Sequence, residues 1–320
     1  MGRNFIRACS LQIGSGGSVI DLSNLRIVFK ISQTTNQSPN PARFRVYNCA
    51  PNTVATLKAK EGALVTFSAG YQDSLGVVYI GDAKQFVAGH ETAVDSYVDI
   101  FCAGGDRAYN QARVTKTLAA GWTPQDKLNV ALSAMAPFGV SMGLTNVDLS
   151  QPKYPRGIPM AGMARDMIRE IAFTKRAMFS IQNNQLTIVN PMVAVQSSTI
   201  EMSPSTGMVG WAKQTPDGII VKSFINSQLQ PHVSIHLDQS AINEAERDNN
   251  PFASQASGST NFNLKTAGVL APDGIYRVIA LDRSGDTRGQ EWYDESICIA
   301  ASGGSPTAAQ LSQGLSLGSN

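Results

Sequence analysis

Reactive side chains are sparse in this chain, and few of them sit at a spacing that chemistry needs. His232 and His236 are four apart, which on a helix would aim two imidazoles at one metal ion. Their segment, HVSIHLD, alternates instead as a strand, with Val233, Ile235 and Leu237 opposite the histidines. Four residues of strand span about 13 Å at ~3.3 Å each, too far for one ion. His90 stands alone in a Gly-rich loop, where plain solvation is expected. Gly14-Ser15-Gly16-Gly17 follows a short apolar segment, but it lacks the lysine of a P-loop and the spacing of GxGxxG, and a strand follows it. The pairs Glu244/Glu246 and Asp294/Glu295 lie in polar segments and read as solvated carboxylates, not as acid and base across a cleft. No HExxH or nucleophilic-cysteine motif occurs. The expectation is therefore no catalytic residue, no cofactor and no metal.

The most particular residues are Gly285, Asp286, Thr287, Arg288 and, just beyond Gly289, Trp292. The two glycines permit positive φ and close approach of another backbone. Asp286 can cap the turn through its own backbone, and Arg288 offers a planar fork for a carboxylate or carbonyl. Two readings stand: an internal Asp–Arg pair that holds the loop, or a contact with another subunit or partner. Either way the loop holds something; it does not react with it.

The elements that present this loop are strands. Residues 273–300 read as a long antiparallel hairpin: Ile275, Arg277, Ile279 and Leu281 alternate with Tyr276, Val278 and Ala280, turn chemistry intervenes, and an apolar run from Trp292 to Ile299 returns. Earlier, LRIVFKI and ARFRVYN alternate cleanly around the turn-rich TTNQSPNPA, and ALVTFSAGY, VVYIGD and the run from Ser96 to Ala103 follow. Short strands separated by turns predict an antiparallel barrel or sandwich over residues 1–115. A helical stretch, 52–60, interrupts them. Residues 116–195 change character, with Thr123-Pro124 opening one helix, a second over 160–176, and a hairpin turning at Asn183-Asn184. A second β region covers 196–301, with strands at 218–229 and 233–238 and a polar stretch over 244–260 that reads as a mobile loop. Residues 302–320 are too polar to bury a core and read as a flexible tail. The fold class is mainly β, of α+β composition, with a small helical insert.

Composition narrows the function classes. Apolar residues make up 42 % and charged residues 16 %, against about a quarter charged in ordinary soluble domains; such a surface suits contact with other protein. A net charge of +2 with no Lys/Arg cluster gives no pull towards nucleic acid. Cys9, Cys49, Cys102 and Cys298 match no zinc spacing and read as reduced thiols of a cytosol-folded chain. No apolar leader or membrane span is present, and Ile6 stands where a myristoylation signal needs Ser or Thr.

GDTRGQEWYDE, preceded by DGIYRV and by TPDGIIVKSFINSQLQPHVSIHLD, resembles the baseplate hub proteins of contractile-tailed bacteriophages. LRIVFKI, PNPARFRVYNCAPNT, FSAGYQDSLGVVYIGD and RGIPMAGMARDMIREIAFTKRAMFSIQNNQLTIVN extend the resemblance over most of residues 20–300. It departs at Leu281-Asp282-Arg283, where many relatives carry a histidine. The resemblance implies a homotrimer whose two barrel-like β domains per subunit form a ring. That ring would join the sixfold tail tube to a trimeric spike, among other baseplate proteins, and genomic DNA would pass through only in transit. It implies a virion tail protein assembled in the bacterial cytoplasm. A tail-associated cell-wall hydrolase and a carbohydrate-binding module of the tail tip are the other readings.

Overall fold

In the computed structural model, residues 6–14, 18–190, 199–215, 218–243 and 271–301 are described. The 244–260 stretch, the tail from Ser302 and Ser15-Gly16-Gly17 lie outside them.

The first β region contains β1 (Arg7–Ile13), β2 (Ile20–Asp21), β3 (Ile27–Thr34), β4 (Pro41–Tyr47), α1 (Pro51–Lys58), β5 (Leu64–Tyr71), β6 (Gly76–His90) and β7 (Ser96–Ala103). Its period-2 patterning settles which face is inside. Ile27, Phe29 and Ile31 are buried while Lys30 is exposed, and β4 repeats this with Phe44 and Val46. The inward rings meet as one aromatic core, with Phe29–Phe67 centroids 4.7 Å apart and Phe44–Phe67 4.9 Å apart. One expectation is corrected here. His90 does not sit in a loop, because β6 runs on to pair His90 with Ser96. Gly89 reads as a turn residue in sequence, but its missing side chain makes room for Tyr97, whose hydroxyl would lie 2.7 Å from a Cβ there.

The insert is built from α2 (Asp106–Gln111), β8 (Arg113–Leu118), α3 (Pro124–Met135), β9 (Ser141–Thr145), β10 (Ile158–Met163), α4 (Ala164–Thr174), β11 (Met178–Gln182) and β12 (Gln185–Val189). Thr123 caps α3 as expected, with the reciprocal bond between Asp126 and the Thr123 backbone completing a capping box. The second helix starts at Ala164, later than the apolar spacing suggests. Residues 158–163 pair with β8 instead, and Gly162 takes a φ of 143°, which a helix cannot contain. Asn183 and Asn184 form the expected hairpin turn, both at positive φ, 49° and 62°. A separate core of Leu128, Ala131, Met135, Ile168, Phe179 and Ile188, among others, holds the insert together.

A buried polar network fixes the insert against the sheet. Asn40 donates to Gln182 Oε1 at 2.8 Å and accepts from the Thr34 N–H at 3.0 Å, while Gln182 donates to Thr34 O at 2.6 Å. Asn183 accepts from the Ile80 N–H at 3.1 Å, and Tyr79 donates to Asn40 O at 3.1 Å.

The second β region adds β13 (Ile200–Met202), β14 (Ala212–Thr215), β15 (Gly218–Phe224), β16 (Ser234–Leu237), β17 (Ile242–Asn243), β18 (Ile275–Asp286) and β19 (Trp292–Ala300). The chain is mainly β, as expected, but the two β regions share one sheet. Its strand order runs β17-β14-β15-β19-β18-β3-β4-β7-β6-β5-β1-β2, with β13 and β16 branching off at β18. The join is the antiparallel pair of β18 with β3, from Ala280↔Thr34 to Asp286↔Val28.

Asn40 is 3 % exposed, so its loss leaves Gln182 Oε1 and the Thr34 N–H without the partner it supplies. Asn40→Ala is expected to destabilise by about 1–3 kcal/mol, read from the urea midpoint. An unchanged midpoint would remove this network from the account of how the insert is held.

Candidate functional site at the hairpin tip

The β18–β19 hairpin belongs to two cores. Near its root, Tyr276, Val278, Leu281 and Cys298 pack with Ile219, Val221, Ile235 and Leu237. Near its tip, Trp292 packs in the first region's core. The indole lies edge-on to Phe29 with centroids 5.4 Å apart. Gly285, across from Trp292, is where those rings fit: a Cβ there would lie 2.5 Å from Phe29 and 2.8 Å from Trp292.

The loop's carboxylate has an internal partner, but not the expected one. Asp286 takes a bidentate pair from Arg26, at 3.2 and 2.7 Å, and accepts the Arg288 N–H at 2.9 Å. Burial opposes its charge, but these hydrogen bonds outweigh burial and hold the carboxyl below its ordinary value. Thr287 clamps the same junction: its hydroxyl accepts the Ile27 N–H at 2.9 Å and its own N–H donates to Ile27 O at 3.0 Å. Gly289 adopts no positive φ; it is small because a Cβ would lie 2.5 Å from Asp286. The glycines therefore serve close packing inside the chain.

The Arg288 guanidinium is left at the surface, with one long bond of 3.4 Å to Asn24 O. It lines an open hollow of about 320 Å³ together with Leu25, Tyr47, Asn48 and Asp95. Beside the tip, Arg7 ties β1 to the loop through Gly289 O at 2.7 Å and Gln290 O at 2.9 Å, and it also covers Trp292.

Further down the hairpin lies a feature that sequence reading missed. Asp294 does not solvate with Glu295; it is fully buried opposite Arg283, 3.9 Å away. Asp294 accepts the Asn226 N–H at 3.0 Å, and Arg283 donates to the carbonyls of Asn226 and Leu229. The pair thus fastens the turn after β15 to the hairpin. Burial pushes the Asp294 carboxyl up to about 6 against the pull of Arg283. The signal was present: Trp292, Asp294, Ser296 and Cys298 alternate onto one face, and that face is the buried one. In sequence Arg26 is one polar position of the alternating LRIVFKI, and nothing local connects it to Asp286, 260 residues away.

The histidines are not brought together. His232 precedes β16 at a left-handed φ of 75° and is buried, where burial and the Arg277 charge depress it to about 4. His236 lies on β16 beside Glu201 at 3.0 Å. The four cysteines are free, and burial pushes the Cys298 thiol up to about 12. No group of three or more metal-ligating side chains occurs among the described residues.

Arg26→Ala is expected to lower the melting temperature more than Arg288→Ala, because of these two side chains only that of Arg26 bonds the Asp286 carboxylate. The sign with pH follows: a carboxyl held below its ordinary 3.8 stabilises above that value and loses the effect as acid protonates it. The gap between wild type and Arg26→Ala should therefore close as pH falls below 3.8. Arg283→Met alone strands Asp294 as a buried charge and should cost about 3–5 kcal/mol, whereas Arg283→Met with Asp294→Leu should recover most of it. A double variant as unstable as the single one would refute that account.

No protein-family model and no curated protein sequence matches the chain. Solved structures do. The 43 kDa tail protein of prophage MuSo2 from Shewanella oneidensis is similar at TM-score 0.56 and 8 % identity, over 92 % of this chain and 99 % of that one. A tail protein from Neisseria meningitidis gives TM-score 0.55 and 9 % identity, over 93 % and 99 %. A PdpA–VgrG complex gives 0.52 and 6 %, over 94 % of this chain and 66 % of that one. Over 92–93 % of its length, this chain has the fold of solved phage-type tail proteins.

Proposed function

We propose that the chain is a structural, non-catalytic component of a phage-type tail tip: a baseplate hub that works as a homotrimer. In this reading it joins the tail tube to a trimeric spike and surrounds the path by which DNA leaves. It acts in the virion, among other baseplate proteins, after assembly in the bacterial host cytoplasm. The observation that carries the reading is likeness over whole length, since the chain spans 99 % of two tail-protein structures. The joined sheet supports it, because a subunit that presents two β regions as one rigid wall suits a ring of few copies.

Charge placement supports the passage of DNA without retention. Arg43 and Arg45 both bond to the Asp99 carboxylate, at 2.7 Å and at 2.8 and 3.0 Å. Cations already paired release fewer counterions to a phosphate backbone and hold it less. Arg288 is the tip residue assigned to a subunit or partner contact. Its backbone is fixed through Asp286, while its guanidinium faces solvent.

Light scattering of the purified protein is expected to give a trimer, or a monomer that becomes trimeric on adding its spike partner. Digestion of cell-wall material, abolished by one carboxylate substitution, would overturn the structural reading. Arg288→Ala should reduce assembly yield while leaving the melting temperature nearly unchanged; a parallel fall in both would return Arg288 to an internal role.

A further inference from the structure

Five enclosed side-chain polar atoms among the described residues have no hydrogen-bond partner, and three of them meet on one row of the sheet. They are Ser223 Oγ on β15, Asp294 Oδ1 on β19 and Arg283 Nε on β18. Ser223 stands directly opposite Asp294, and Asp294 directly opposite Arg283. Residues so paired share one face of an antiparallel sheet, with Cβ atoms about 4.5–5.5 Å apart. Here that face is the inner one, and all three residues are buried.

The other polar atoms of the two charged groups are engaged. Arg283 gives its terminal nitrogens to the carbonyls of Asn226 and Leu229, and Asp294 Oδ2 accepts the Asn226 N–H at 3.0 Å. Arg283 Nε and Asp294 Oδ1 lie 3.9 Å apart. A direct hydrogen bond needs about 2.7–3.2 Å, and a longer polar gap of this kind suits one bridging atom. What is left over is one donor, one acceptor and a hydroxyl that serves as either. An occupant must therefore accept from Nε–H and donate to Oδ1. A cation is repelled by the guanidinium and an anion by the carboxylate. The Arg283 and Asp294 side chains are 0 % exposed, so no side chain of a partner can enter. Water meets every condition, and three partners is its usual number in a protein interior. The Asp294 carboxyl, pushed up to about 6 by burial, fits a charge whose cation stands one atom away.

We propose that one internal water molecule is bound between Arg283 Nε, Asp294 Oδ1 and Ser223 Oγ, accepting from the first, donating to the second and sharing a hydrogen bond with the third. The buried ion pair is then water-mediated, and the same molecule ties β15 to both strands of the hairpin where the two cores meet. Ser223 is the residue that gives the site its third ligand. The proposal is independent of the tail reading, because it rests on three atoms of one sheet row.

The test is a crystal structure of the full chain at a resolution that orders internal waters. A water peak is expected within about 3.2 Å of both Arg283 Nε and Asp294 Oδ1. A direct Arg283–Asp294 or Ser223–Asp294 hydrogen bond, with no water peak between, would overturn the proposal. In solution, oxygen-17 relaxation dispersion counts long-lived internal waters, and the double variant Arg283→Met with Asp294→Leu should lose one; an equal count counts against the site. Ser223→Ala removes one atom and keeps both charges. It should lower the urea midpoint, because the water loses a ligand. An unchanged or raised midpoint is what deleting a dry, unpartnered hydroxyl gives, and it too would overturn the proposal.

Discussion

The structure depends on one backbone pairing, the antiparallel ladder between β3 and β18. Its partners are about 250 residues apart, from Ala280↔Thr34 to Asp286↔Val28. Closing so large a loop costs entropy that grows slowly with length but must still be offset locally. The offset is visible around the ladder. Trp292 and Phe29 pack across it, Thr287 extends it by two hydrogen bonds, and the Arg26–Asp286 pair closes its end. Without this ladder the described chain would be two β regions on a tether.

The hairpin that carries the ladder is pulled by two cores, and its polar residues mark the crossing. Trp292 belongs to one core and Cys298 to the other. Between them sit Arg283 and Asp294, both fully buried. A buried ion pair is a poor source of net stability but a sharp source of geometry, because wrong registers strand a charge. Here it holds the turn at Asn226–Leu229 in place beside the first region, where Ser227 crowds Gly76.

Much of this was legible from residue order. Strands with strict alternation, such as LRIVFKI, declare their inner face, and Thr123-Pro124 announces a capped helix. Asn183-Asn184 predicts a tight turn because asparagine tolerates positive φ. Residue order misleads where a side chain's environment is set by distant residues. Gly89 looks like a loop and is a space for Tyr97. Met160 looks helical, but pairing with β8 and the backbone of Gly162 make it a strand. Asp294 looks solvated beside Glu295, yet the period-2 pattern from Trp292 already places it inward.

The loop from Gly285 to Arg288 divides the two kinds of knowledge. Order and composition alone determined that a long hairpin ends in a polar, glycine-flanked loop, that the chain is mainly β, and that a helical insert separates two β regions. These are local matters of period, turn chemistry and propensity. Which cation answers Asp286, why the glycines are small and which arginine remains free were decided only when β18 met β3. Arg26 is the partner because the ladder brings it there. Such long-range pairings leave no periodic trace in one sequence, since the contact is made between segments that share no local constraint.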